Sequence, residues 1–120
     1  MRLPLLAIST IAASLFGCGQ SLVDASTEID LAKLRPFLKA VQPLIENGFG
    51  DAQISQIEQE FRKLALDGTK TITFPIVYRG AKADLRVTVR KEDSDTVEIH
   101  LFAPPQLAEQ IKQAFKSLLY

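Results

Sequence analysis

The spacing of apolar residues changes abruptly at Gly68, and this change constrains the fold more than any other feature of the sequence. Before Gly68 apolar residues recur every three or four positions, the period of an amphipathic helix; after it they alternate with polar residues, the period of a half-buried strand. The helical stripes comprise Leu31, Leu34, Phe37, Leu38, Val41, Leu44 and Ile45, then Ile54, Ile57, Phe61, Leu64 and Ala65. The alternating residues are Ile72, Phe74, Ile76 and Tyr78, then Leu85, Val87 and Val89, then Val97, Ile99 and Leu101. Separate blocks of the two periods predict an α+β fold.

The alternating block predicts three strands joined by short turns. Turns are expected at Gly80 and between Lys91 and Asp95, so the strands should form an antiparallel meander. Pro75 lies inside the first of them and cannot donate a backbone hydrogen bond, which places that strand at a sheet edge.

Helices are predicted on both sides of the meander. The Thr27-x-x-Asp30 spacing indicates the start of the first helix, in which Pro36 and Pro43 predict a kink or a division into two. The second helix is expected from Asp51 or Ser55 to the Asp67-Gly68 stop, and the last one after Pro104-Pro105. The expected architecture is a two-layer domain spanning residues 27–120. Its element order is α-α-β-β-β-α, with the helices packed on one face of a three-stranded sheet.

The N-terminal segment has the pattern of a secretory signal peptide. Met1-Arg2 is followed by an uncharged run from Leu3 to Phe16, about 21 Å long as a helix and so shorter than the roughly 30 Å hydrocarbon core. The run ends in Leu15-Phe16-Gly17-Cys18, which resembles the lipobox of bacterial lipoprotein precursors. The resemblance implies removal of residues 1–17 and a diacylglycerol on Cys18, with residues 18–26 as the lipidated cysteine and tether. It also implies a place in the cell envelope, on the outer membrane facing the periplasm if the cell has two membranes.

Composition argues against several classes of function. Lys and Arg number 14 and Asp and Glu also number 14, so no basic surplus attracts nucleic acid. His100, the only histidine, lies on a predicted strand face, and Cys18, the only cysteine, is expected to carry a lipid. The sequence therefore predicts neither a Ser–His or Cys–His catalytic pair nor a set of zinc ligands. We therefore expect no enzyme activity, no cofactor and no metal.

The outward face of the predicted sheet is the candidate partner-binding site. It is expected to collect Val77, Arg79, Arg86, Arg90, Glu98, His100 and Phe102, a mixture of arginine and aromatic side chains that interfaces favour. Two strand registers are open. One sets His100 across from Arg86 and Glu98 across from Thr88, and the other sets Glu98 across from Arg90 and His100 across from Thr88. The simpler alternative is a solvated face without a partner.

These features predict a lipid-anchored, non-enzymatic protein-interaction or scaffold domain that contacts the membrane through its lipid and binds another envelope protein. Two alternatives stay open. One is a periplasmic carrier of an apolar ligand, which would need a cavity among Phe37, Phe61, Phe74 and Phe115. The other is an inhibitor of the toxin-immunity type.

Overall fold

The computed structural model describes residues 21–119. Its elements in chain order are β1 (Val23–Asp30), α1 (Leu31–Val41), a 3-10 turn (Gln42–Leu44), α2 (Asp51–Lys63), β2 (Thr69–Tyr78), β3 (Ala81–Asp93), β4 (Thr96–Ala103) and α3 (Pro105–Leu119). The α+β class is confirmed. The expected signal peptide and Cys18 lie outside the described residues.

The four strands form one antiparallel sheet in the order β1-β4-β3-β2. The predicted meander is present as β2, β3 and β4, with β2 at an edge as Pro75 indicated. The prediction of three strands is wrong, because β1 pairs with β4 along its other side.

The additional strand replaces the predicted tether end and helix start. Val23 to Ser26, assigned to the tether, form the first half of β1, and Thr27 to Asp30 form the second half instead of a helix cap. The physical reason is burial: Ala25 and Ile29 are 1% and 4% exposed, and the strand satisfies the backbone groups of β4 that would otherwise form an open edge.

Of the two prolines in the first helical segment, only Pro43 lies at a boundary between elements. α1 continues through Pro36 as one helix, and Pro43 lies in the first turn of the 3-10 segment that follows. α2 begins at Asp51, where the Gly50 N–H donates to Gln53 Oε1 at 2.8 Å. It ends at Lys63, before the predicted Asp67-Gly68 stop.

The loop before α2 closes part of the β2 edge. Asn47 forms an isolated antiparallel bridge with Val77, and the two backbones exchange hydrogen bonds through the Val77 N–H and the Glu46 N–H. Gly48 has φ +97°, and a Cβ there would lie 2.3 Å from the Pro75 carbonyl oxygen. Only glycine fits this approach without a shift of the backbone.

All three helices pack on the same face of the sheet, and the core fills the layer between them. Within it the rings of Phe37 and Phe115 stack with centroids 4.5 Å apart. Phe61 is 1% exposed and Phe74 lies edge-on to Phe49 at 5.8 Å. Leu118, near the C-terminal end of α3, is 44% exposed. In residues 21–119, no helix combines the length and hydropathy needed to cross a bilayer.

Candidate functional site

The face of the sheet opposite the helices is the candidate site, and we call it the open face. Strand pairing places on it Asp24, Ser26 and Glu28 of β1, Thr71, Thr73, Pro75 and Val77 of β2, Arg86, Thr88 and Arg90 of β3, and Glu98, His100 and Phe102 of β4. Their side chains alternate with the buried residues of the same strands. Every described strand therefore contributes to one continuous surface.

The structure selects one of the two predicted registers. Arg90 pairs with Glu98, Thr88 with His100 and Arg86 with Phe102, so the register that sets His100 across from Arg86 is wrong. A tight turn at Ser94 and Asp95 and a bulge between Lys91 and Asp93 together fix this pairing. An extra residue in one strand cannot be read from alternation alone.

Arg90 is the centre of a charge cluster on the open face. Its Nε lies 2.6 Å from Glu98 Oε1, and its two terminal nitrogens lie 2.7 Å from Glu92 Oε2 and 3.1 Å from Asp67 Oδ1. The hydrogen bond with Glu98 is the largest cause of the raised pKa of the Arg90 guanidinium. Arg90 therefore joins the end of the α2–β2 loop to β3 and β4.

His100 extends the same cluster to β1. Its Nε2 lies 2.8 Å from Glu98 Oε2 and its Nδ1 lies 3.1 Å from Asp24 Oδ2. Burial lowers the pKa of His100, but the hydrogen bonds to Glu98 and Asp24 outweigh it and leave the pKa above its ordinary value. The hydrogen bond to His100, followed by that to Arg90, lowers the pKa of Glu98. His100 thus links β4 to β1 across the open face.

Carboxylates exceed cations in this cluster. Asp24, Asp67, Glu92 and Glu98 each contact Arg90 or His100, and Glu28 lies against Glu92. The pKa of the Glu92 carboxyl is raised, and the largest cause is its hydrogen bond to the Glu28 carboxylate, which favours the protonated form of Glu92 over a second negative charge. The half of the open face next to β1 is therefore acidic.

Four of these acids were missed by the sequence reasoning. Asp24 lies in the predicted tether and Glu28 in the predicted start of the first helix. Both alternate with less polar residues, which is the signal of a strand: Val23, Ala25, Thr27 and Ile29. Asp67 and Glu92 were assigned to a helix stop and a turn, where no local pattern indicates contact with Arg90.

The predicted partner-binding residues are only partly together. Val77, Arg86, Arg90, Glu98, His100 and Phe102 share the open face, with Val77 apart from the others on the edge strand β2. Arg79 does not belong to it: with φ 53° it forms the β2–β3 turn with Gly80, and its Nη1 donates to Gln106 Oε1 at 2.6 Å, at the start of α3. The turn ends the alternation on which that assignment depended.

Arg86 and Phe102 form the part of the open face that the cluster does not use. They are cross-strand partners, and within residues 21–119 Arg86 makes no ion pair with a carboxylate. The ring of Phe102 lies parallel to that of His100 at 6.0 Å and is half-buried. A half-exposed aromatic ring beside charged groups is a common anchor in protein interfaces.

Arg90, Glu98 and His100 at the centre of the open face are hydrogen-bonded to one another. The part of the chain between residues 21 and 119 contains no group of three or more His, Cys, Asp or Glu arranged to hold a metal ion. Comparisons with protein-family models, with curated proteins and with solved structures found no significant match to this chain.

Proposed function

We propose that this chain is a lipid-anchored protein of the cell envelope, attached through Cys18, whose open face binds a protein partner without catalysing a reaction. The proposal places it on the outer membrane facing the periplasm if the cell has two membranes. The lipobox-like sequence before Cys18 supports the anchor. The open face is the observation that carries the binding function.

Two properties of that face support a protein partner. Between residues 21 and 119 the helices pack on the other side of the sheet, so its four strands present one broad surface. Phe102 supplies an apolar contact near its middle, next to Arg86 and His100. Interfaces commonly combine an aromatic anchor with a surrounding polar rim.

The charge of the open face supports a basic partner. Because carboxylates exceed cations around Arg90, the complementary surface carries Lys or Arg side chains that pair with Asp24 and Glu28. Arg90, Glu98 and His100 are engaged with one another and act mainly to position the strands. The partner is therefore a basic segment of another envelope protein, seated over β1 and β4.

The anchor is tested by fractionation of cells that produce the Cys18→Ala variant. We expect the native chain in the membrane fraction, with an acylated N-terminal Cys18 by mass spectrometry, and the variant outside it. A variant that fractionates like the native chain would remove the lipid anchor from the proposal.

The binding face is tested by a photo-reactive amino acid placed at Phe102 and, as a matched control, at Lys116 on the exposed side of α3. We expect a discrete adduct from position 102 alone. Its yield should fall in a Glu28→Lys background and persist in Glu109→Lys, which reverses an exposed charge on α3. Equal yields from both positions, or no effect of Glu28→Lys, would contradict the assignment of the open face.

A further inference from the structure

A pocket of about 350 Å³ lies where the β2–β3 turn faces the corner between β4 and α3. Arg79 and Lys82 are the cationic residues that line it, and Pro104, Pro105 and Gln106 line it from the end of β4 and the start of α3. A volume of this size is sufficient for a small polar ligand or a lipid headgroup. The pocket is separate from the charge cluster on the open face.

The two cations of the pocket are not neutralised by ion pairs. The Arg79 guanidinium donates to Gln106 and lies 5.6 Å from the centre of the Tyr78 ring, and both of these partners are uncharged. In residues 21–119, neither Arg79 nor Lys82 lies within 4.0 Å of a carboxylate oxygen, whereas Arg90 pairs with three. The nearby carboxylate of Glu46 accepts from the Gly80 N–H at 3.1 Å. An arginine and a lysine without acidic partners suit a phosphate group.

The chain enters the domain at the same end. Val23, the first residue of β1, pairs with Ala103, which directly precedes Pro104 of the pocket. Cys18 is five residues before Val23, and five extended residues reach at most about 18 Å. A lipid on Cys18 would therefore hold the pocket end of the domain close to the bilayer surface.

We infer that the pocket binds the phosphate of an anionic lipid headgroup in the membrane that carries the Cys18 lipid. This inference depends on the proposed lipid anchor. The anchor supplies one flexible attachment, and the headgroup supplies a second contact on the folded domain. Together they fix the orientation of the domain, with its pocket end toward the bilayer and the open face directed sideways, where a partner can reach it.

The experiment uses the protein as its producing cell processes it from the full chain, mixed with nanodiscs of phosphatidylcholine alone or of phosphatidylcholine with phosphatidylglycerol. The readout is the rate at which an amine reagent acetylates Lys82, measured by mass spectrometry. The internal control is Lys70, which pairs with Val89 toward the opposite end of the β2–β3 ladder. If bound lipid blocks the reaction, the acetylation rate falls by the factor 1 + L/Kd, where L is the lipid concentration. Lipid at about twice its Kd therefore slows acetylation of Lys82 about threefold.

We expect phosphatidylglycerol to slow acetylation of Lys82 but not of Lys70. Arg79→Gln should abolish the protection, whereas Arg62→Gln, at the Lys91 end of the domain, should retain it. Equal Lys82 rates in the two discs, or protection that survives Arg79→Gln, would overturn the headgroup site. Equal protection by inorganic phosphate added to phosphatidylcholine discs would overturn the lipid as its source.

Failure of the anchor gives a different result. A protein that does not co-elute with discs of phosphatidylcholine alone contradicts the proposed function itself, and the headgroup contact fails with it. A protein that co-elutes but shows unprotected Lys82 contradicts only the headgroup contact.

Discussion

Replacement of Phe115 by alanine tests whether α3 is an integral part of the core. Phe115 is 4% exposed, and its ring stacks on Phe37 at 4.5 Å with an interplanar angle of 19°. Truncation of a buried phenylalanine to alanine costs about 3–5 kcal/mol through lost burial and the cavity that remains. Because the stacked pair is also lost, we expect Phe115→Ala at the upper end of this range, a large part of the roughly 5–15 kcal/mol that stabilises a typical domain.

The free energy of unfolding is measured by urea denaturation followed by far-ultraviolet circular dichroism, with the slope m checked for a change in the unfolded state. Phe102→Ala is the matched control, since its half-buried ring lies on the open face and its removal should cost about 1 kcal/mol or less. A cycle with Phe37→Ala should show a coupling of about 0.5–1.5 kcal/mol between the two rings. A loss below about 1 kcal/mol for Phe115→Ala would show that α3 packs only peripherally.

Three further predictions concern the open face and the turns. Because the pKa of His100 is raised in the folded protein, its protonated form stabilises the fold fully below pH ~6.5, and this contribution is lost as the pH rises through the folded pKa. His100→Gln should therefore flatten the dependence of Tm on pH above pH ~6.5. An unchanged slope would exclude the bridge to Asp24. Arg90→Met should lower Tm near neutral pH, because it removes the cation that Glu92 and Glu98 share, and have little effect near pH ~2, where carboxylates are protonated; Arg86→Met is the control, and an equal loss at both pH values would contradict the electrostatic origin. Gly48→Ala should destabilise more than Gly80→Ala in urea melts, because both have positive φ but only Gly48 lacks space for a Cβ; equal losses would refute the close approach to Pro75.

The sequence predicted the parts of the fold that depend on strong local patterns. Alternation over residues 72–78, 85–90 and 97–102 was sufficient for β2, β3 and β4, because each alternate position is occupied by a large apolar residue. Pro75 placed β2 at the edge, since a missing donor acts locally.

β1 was missed because its inward positions include the small or polar residues Ala25 and Thr27. Alanine has little strand propensity and threonine, although it favours strands, is polar, so neither residue marks an apolar face. Their burial depends on β4 and α3, which are distant in sequence. The Thr27-x-x-Asp30 spacing competed with this weak signal, although the helix begins one residue after Asp30 without a side-chain cap.

The candidate site was predictable in outline. The alternation of residues along the strands correctly assigned six of the seven predicted site residues to one face. The contacts of Arg90 with Asp67 and Glu92 depend instead on the course of a loop and on a β-bulge, which alternation does not encode. Arg79 was misplaced because a positive φ takes it out of the strand period.

The pairing of β1 with β4 has a consequence for how the molecule is assembled. Residue 30 pairs with residue 96 and residue 23 with residue 103. The backbone hydrogen bonds between β1 and β4 therefore form only after β4 has been synthesised. Pairing over such a distance in sequence slows folding, and until it is complete both strands expose backbone groups that could recruit a neighbouring chain. α3 packs against β1, so the N-terminal strand and the C-terminal helix depend on each other. Truncation at either terminus would therefore disrupt the same part of the fold.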